Sequence, residues 1–324
     1  MPVKRGWCAA LFLALAVAGS MCPAQALTPA CSASVGMLRF GNVDVLAGAR
    51  VDAVSTLTVT CSGGPSDAGH AVRICASMGP GQSASFPPRT LVNGASILRF
   101  EIYPDLSGAT PWGAWGGGYG TSSGITIDLP LVNGAGVAHR SVYGSIFPSQ
   151  QGTPPGFYVN NLADAATSFV YALDAAATPC AMLGGIPASY AFLASATVQA
   201  NCNIATNDLS FGTIGTIVNA IDSQTTLLMT CSAGLPFTIG LDGGRSQATD
   251  PANRQMTGVG GAIYYGLYTN AGRTQAWGAT GIANTFAGTG SAALQSIPIY
   301  GRLRSAQTPP PGQYSDVIVV TVTY

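Results

Sequence analysis

One pattern occurs twice along this chain and limits its fold more than any other feature. Cys31 is followed nine residues later by Phe40-Gly41, and then by Leu57-Thr58-Val59-Thr60-Cys61-Ser62. Cys202 is followed nine residues later by Phe211-Gly212, and then by Leu228-Met229-Thr230-Cys231-Ser232. The two Cys–Cys separations are 30 and 29 residues. Further landmarks recur in the same order. Leu98 to Tyr103 with Trp112-Gly113 matches Tyr264 to Tyr268 with Trp277-Gly278. Val142-Tyr143-Gly144 with Pro154-Pro155-Gly156-Phe157-Tyr158 matches Ile299-Tyr300-Gly301 with Pro310-Pro311-Gly312-Gln313-Tyr314. Ordered recurrence of this kind marks a duplicated unit, and two copies make a pair of domains rather than a solenoid.

Each copy reads as an all-β sandwich. Short runs of Val, Ile, Thr and Tyr, the residues that suit a pleated surface, alternate with Gly- and Pro-rich turns. Gly accounts for 42 of the 324 residues and charged side chains for 8%, a balance that favours turns and strands over helices. In the first copy the pattern predicts strands near 34–40, 55–61, 71–77, 97–103, 125–129, 139–146 and 157–162. The recurring Cys31/Cys61 and Cys202/Cys231 pairs then staple the first strand to the second. Cys75 and Cys180 have no counterparts in the second copy, where Cys75 falls near Gly240. By elimination these two pair with each other. Phe40, Phe211, Trp112 and Trp277 recur at matching places, which favours core packing for all four.

The first residues carry an export address. Lys4 and Arg5 precede a short apolar run, and Ala24-Gln25-Ala26 is a small-residue cleavage site, so residues 1–26 read as a signal peptide. Cys8 and Cys22 lie within it, and the remaining six cysteines suit an oxidising compartment. The expected mature chain has eleven basic and thirteen acidic side chains, which gives no basic footprint for nucleic acid.

The last stretch, Asp316-Val317-Ile318-Val319-Val320-Thr321-Val322-Thr323-Tyr324, is apolar on both faces and reads as a central, doubly buried strand. A central strand needs a neighbour on each side. Either an earlier strand or a second chain supplies it.

These landmarks resemble the spore coat protein U domain, the pilin domain of Csu-type archaic chaperone–usher pili. The resemblance rests on the Cys…Phe-Gly…Thr-Cys-Ser opening, the Leu-Tyr-Thr…Trp-Gly middle and the Tyr-Gly-Arg…Pro-Pro-Gly-Gln-Tyr-Ser-Asp end. It is close over residues 198–324 and looser over 31–162. It implies two immunoglobulin-like β-sandwich domains, residues 27–188 and 189–324, the C-terminal one incomplete and completed by a donor strand. Its acceptor edge would be Val317, Val319, Val320, Val322 and Tyr324. The implied partners are a periplasmic pilus chaperone, an outer-membrane usher and the next pilin subunit, which donates the strand. Only four residues, Leu27 to Ala30, separate the expected cleavage point from Cys31, and such an arm spans about 14 Å at most. A subunit of this kind accepts a strand without donating one and belongs at the distal end of a pilus on the cell surface. An arm-like stretch, Tyr190 to Val198, lies inside the chain and either completes the first domain or opens the second.

The residues offer little chemistry. His70 and His139 stand alone, Glu101 is the only glutamate, and Gly116-Gly117-Gly118 lacks the Lys and helix of a phosphate loop. The sequence implies no enzyme activity and no cofactor or metal. What remains are apolar loops. Trp112, Trp115 and Tyr119 lie in one, and Met182, Leu183 and Ile186 in another. Trp115, Tyr119, Met182 and Leu183 lack equivalents in the second copy, so a shared core does not require them. Apolar clusters of this kind mark interaction sites, here an abiotic or host surface and biofilm attachment. The competing readings are a carbohydrate-binding tip, with Trp112 or Trp115 stacked on a sugar, and a plain structural pilus or coat subunit.

Overall fold

The computed structural model describes residues 29–83, 86–115, 123–279 and 284–324. The expected signal peptide and Tyr119 lie outside the described residues. The first unit contains β1 (Ala30–Val35), β2 (Leu38–Val43), β3 (Val51–Ser62), β4 (Ala71–Ser77), β5 (Arg89–Asn93), β6 (Ser96–Tyr103), β7 (Ile125–Pro130), β8 (Ala135–Ile146), β9 (Gly156–Leu162), β10 (Ser168–Leu173), β11 (Ile186–Ser189) and β12 (Phe192–Val198). They form an eight-stranded sheet, β1-β3-β8-β6-β5-β9-β12-β2, and a four-stranded sheet, β11-β10-β4-β7. The second unit contains β13 (Cys202–Thr206), β14 (Ile221–Cys231), β15 (Pro236–Leu241), β16 (Arg254–Gly258), β17 (Gly261–Tyr268), β18 (Phe286–Thr289), β19 (Gln295–Leu303), β20 (Tyr314–Ser315) and β21 (Val320–Thr323). Its sheets are β13-β14-β19-β17-β16-β20 and β18-β15-β21.

Period-two alternation sets these strands. In β3, Leu57, Val59 and Cys61 are buried while Thr56 and Thr60 are exposed. In β7, Ile125, Ile127 and Leu129 point inward and Thr126 and Asp128 outward. The predicted first strand is broken at Gly36-Met37 into β1 and β2, which join opposite edges of one sheet. β2 nevertheless packs back on β8: a side chain at Gly144 would collide with Leu38 and Phe40, and one at Gly301 with Leu209 and Phe211. The recurring glycine is therefore the seat on which the recurring Phe rests.

Each unit has its own core. One cluster runs from Leu38 to Val198 and the other from Ile217 to Leu303. β12 supplies Phe192, Ala194, Ala196 and Val198 to the first cluster, so it belongs to the first unit. β12 thus lies past the division expected at 188/189 yet packs in the first core, and the connection between the two sets of strands falls at 199–201. Disulfides Cys31–Cys61 and Cys202–Cys231 join residues directly opposite each other in β1/β3 and β13/β14. Cys75–Cys180 ties β4 to the turn before β11, closing a loop of 105 residues. Closing so long a loop restricts the unfolded chain and contributes about 2–4 kcal/mol.

An arginine sits at the centre of each unit. Arg254, fully buried, donates from Nε to the Asp242 carbonyl (2.7 Å), from Nη1 to Pro251 (2.6 Å), and from Nη2 to Leu241 (3.0 Å) and Trp277 (2.7 Å). Arg89 donates from Nε to Gly79 (2.9 Å) and from Nη2 to Met78 (3.0 Å) and Trp112 (2.7 Å). The indoles follow suit: Trp112 Nε1 donates to the Ala76 carbonyl and Trp277 Nε1 to that of Ile239. These matched bonds align Ala76 with Ile239, so the position of Cys75 corresponds to Thr238 rather than to Gly240. The guanidinium stitches strand ends that belong to different sheets. Arg254→Ala would leave four carbonyls without their donor. Since an orphaned buried polar group costs about 1–3 kcal/mol, the second unit should lose about 3 kcal/mol or more. Thermal unfolding of the intact disulfide-bonded chain should show a large drop in midpoint, which Arg254→Lys restores little, because an ammonium lacks the planar fork.

Candidate functional site

The two units share the plan of their larger sheet, which differs between them at one strand position. In the first, β12 lies between β9, antiparallel to it, and β2, parallel to it. In the second, the counterparts of its neighbours are the segments 314–318 and 209–214. Tyr158 and Tyr314 mark the equivalence, since each hydroxyl donates to a proline carbonyl four residues earlier, Pro154 and Pro310, at 2.7 Å. Among the described residues no strand fills the space between those segments in the second unit.

The consequence is visible side chain by side chain. Leu38, Phe40, Val43, Tyr158 and Leu162 are buried in the first unit. Their counterparts Leu209, Phe211, Ile214, Tyr314 and Ile318 are only half-buried and pack at the margin of the second core. Together they edge the strand position that β12 fills in the first unit. In the first unit the occupant is already present, with Phe192, Ala194, Ala196 and Val198 inward.

The final stretch is an edge, not a doubly buried centre. β21 pairs only with β15 among the described residues. Ile318, Val320 and Val322 turn toward the core and are half-buried, whereas Val317, Val319 and Tyr324 are exposed at 52–57%. Of the five residues expected to form the acceptor edge, Val320 and Val322 therefore face the core, and Val317, Val319 and Tyr324 do not. Ile318, which the sequence reading omitted, faces the groove. The run is apolar on both faces, so composition alone does not separate the inward and outward sets that strand alternation sets apart.

The candidate surface residues of the first unit also divide. Trp112 is fully buried and stacks on Tyr190 at 6.3 Å, so it is core and not a surface contact. Trp115 is half-buried, and its indole lies so close to Gly124 that a side chain there would clash. Its backbone N–H and the Tyr190 hydroxyl both reach Ser77, which places this loop beside the start of β12. Met182 is 75% exposed, Ile186 is 41% exposed and Leu183 is half-buried. The Cys75–Cys180 bond and the contact of Cys180 Sγ with the Thr126 hydroxyl (3.3 Å) hold their turn over β4 and β7. Leu106, exposed at 80% in the loop after β6, is an apolar surface residue that the sequence reading passed over. His70 and His139 occupy exposed positions beside Asp174 and Thr58.

One charged group departs from the shared plan. Arg89 Nη1 bonds the Glu101 carboxylate, where Arg254 Nη1 bonds the Pro251 carbonyl. Glu101 is buried, and burial pushes its carboxyl above the usual range against the opposing pull of Arg89.

Two sandwiches of one plan, with a strand position filled by β12 in the first and unfilled among the described residues of the second, define a duplicated β-sandwich protein. The Spore Coat Protein U domain model matches residues 17–163 and 188–321, and the chain belongs to that family. It is similar to the CsuC–CsuE chaperone–tip adhesion subunit pre-assembly complex of the archaic Csu pili of Acinetobacter baumannii. That match has 16% identity and a TM-score of 0.48, covering 91% of this chain and 100% of that one. It is also similar to the CupB6 tip adhesin of Pseudomonas aeruginosa, at 13% identity and a TM-score of 0.43, covering 92% and 94% of the two chains. No curated protein matches it in sequence.

The unequal edges make a direct prediction. β10 is paired on both sides, by β4 and β11, whereas its counterpart β21 is paired on one. Amide exchange should be at least tenfold faster in Val320–Thr323 than in Ser168–Leu173, read by mass spectrometry on the disulfide-bonded chain.

Proposed function

We propose that this chain is the tip subunit of a chaperone–usher pilus. Its second unit anchors it to the filament by accepting a strand, and its first unit meets the surface to which the cell attaches. The carrying observation is the contrast between the units: one strand slot is filled in cis by β12 and its counterpart is lined by half-buried Leu209, Phe211, Ile214, Tyr314 and Ile318. Membership of the Spore Coat Protein U domain family supports the assembly route. A periplasmic chaperone would hold the groove first, and a neighbouring subunit delivered at the outer-membrane usher would replace it. The tip position is supported by the use of the arm-like stretch Tyr190–Val198 inside the first unit, which leaves it unable to donate. Display is then extracellular, at the far end of the fibre.

Attachment would use apolar residues of the first unit: Leu106, Met182 and Ile186. Each contributes at most about 1.5–3 kcal/mol when buried, and much of that is offset by the cost of association. One tip therefore binds weakly, and many tips engaged at once supply the strength of biofilm attachment. Such contacts survive high salt, which screens charge but not apolar contact.

Replacing Leu106, Met182 and Ile186 together by Ser should leave pilus assembly intact, because none touches the second core, while attachment of cells to plastic falls several-fold. Full attachment by piliated triple-variant cells would remove these residues from the mechanism. In a separate test, co-expression with the cognate chaperone should yield a one-to-one complex. Replacing Phe211 and Ile318 by Asp, which charges the groove, should abolish that complex. Its persistence would contradict the strand-acceptor reading.

A further inference from the structure

The first unit carries a cleft that the pilin plan does not call for. It measures about 540 Å³ and lies between Pro87, Pro88, Pro111, Pro148, Phe147 and Tyr103, with Arg99 at its rim and Glu101 lining its base. It is shallow and open to solvent, so it would cover one face of a small ligand rather than enclose it. Glu101 is 1% exposed, and its two oxygens are used unequally. Oε1 accepts from Arg89 Nη1 and from the Ile102 N–H at 2.9 Å, whereas Oε2 has no partner among the described residues. A buried carboxylate oxygen without a donor is costly, and folds seldom keep one without a use for it.

The second unit shows that the scaffold does not need this carboxylate. There the arginine is satisfied by four carbonyls, and the position of Glu101 is Gly266. The Tyr268 hydroxyl closes over that glycine, 2.5 Å from where a side chain would begin. In the first unit Glu101 occupies the place, and Tyr103, the counterpart of Tyr268, lines the cleft instead. The same two positions thus shut the space in one copy and open it in the other.

We propose that this cleft binds a neutral sugar ring, with Glu101 Oε2 accepting a hydrogen bond from a ring hydroxyl. An ionised carboxylate only accepts, so the ligand must donate. Arg89 already balances the charge of Glu101, and Arg99 stands at the rim, so a donor that brings no positive charge fits best. The proline, Phe147 and Tyr103 walls suit the C–H face of a pyranose. Beyond Tyr103 a second cleft of about 330 Å³ carries Asp52, Asp105 and Tyr143, further partners for hydroxyls of an adjoining residue. The site belongs to the first unit alone and stands or falls apart from the strand-acceptor groove and from the apolar residues Met182 and Ile186.

The test is a ligand-observed NMR titration of the full disulfide-bonded chain. The probes are methyl pyranosides of glucose, galactose, mannose and N-acetylglucosamine, with butylammonium as the charged alternative. At least one pyranoside should bind with a dissociation constant of about 1 mM or tighter, and butylammonium should not compete. In Glu101→Gln the amide oxygen must serve Arg89 and Ile102, which turns an NH₂ donor toward the cleft. Sugar affinity should fall at least tenfold in the folded variant, and the thermal midpoint should also drop, because Arg89 loses its counter-charge. Should that variant lose its fold, Phe147→Ala takes its place and should also weaken binding tenfold. Absence of pyranoside binding to the wild type, equal affinity in the folded variant, or preferential binding of butylammonium would each overturn the proposal.

Discussion

A β-sandwich is stable only when its inner faces are covered and its backbone donors and acceptors are paired, and the covering of one strand position governs this molecule. In the first unit β12 runs between β9 and β2, pairing with both and placing Phe192, Ala194, Ala196 and Val198 on the core. With it in place Leu38, Phe40, Tyr158 and Leu162 are buried. The second unit reproduces the surrounding parts, including the stapling disulfide, the tyrosine–proline clasp and the buried arginine. What differs is the occupant, and Leu209, Phe211, Ile214, Tyr314 and Ile318 are half-buried where none is present among the described residues. The same physics that completes the first unit underlies the proposal that the second accepts an apolar strand.

Duplication supplies an internal control that a single domain lacks. Positions that agree between the units report the demands of the fold. Trp112 and Trp277 sit in identical hydrogen bonds, and Gly144 and Gly301 both seat a leucine and a phenylalanine. Positions that disagree report what each unit has taken on. Cys75 replaces Thr238 and anchors the exposed turn bearing Met182. Glu101 and Tyr103 replace the closed arrangement of Gly266 and Tyr268. The specialised features thus gather in the first unit, which fits the proposed division between an anchoring and a contacting unit.

Much of this was legible in the residues. The repeated Cys, Phe-Gly, Trp-Gly and Pro-Pro-Gly landmarks carry the duplication, and alternating β-branched runs locate β3, β4, β6 and β7. Four things were not. The final valine run misled because its outward members are as apolar as its inward ones, so composition hid the alternation that Val317/Val319 and Ile318/Val320 obey. Trp112 was drawn toward the surface by the aromatic loop around it, although its recurrence as Trp277 already marked a core residue. Arg89 and Arg254 were missed because charge is seldom central to a sandwich core. A signal existed: each precedes its tryptophan by 23 residues. The cleft at Glu101 could not be read from sequence, since it depends on which way a tyrosine turns two residues away.

The central claim, that the second unit is one strand short, is tested most directly by supplying that strand in cis. A copy of the segment 190–198, joined after Tyr324 through a flexible linker long enough to reach the groove, gives the unit an occupant at high effective concentration. The account predicts that the thermal transition of the second unit rises by several degrees. The appended amides should become protected from exchange, while the first unit is unchanged. An appended segment that stays fully exchangeable, with no shift in either transition, would contradict it.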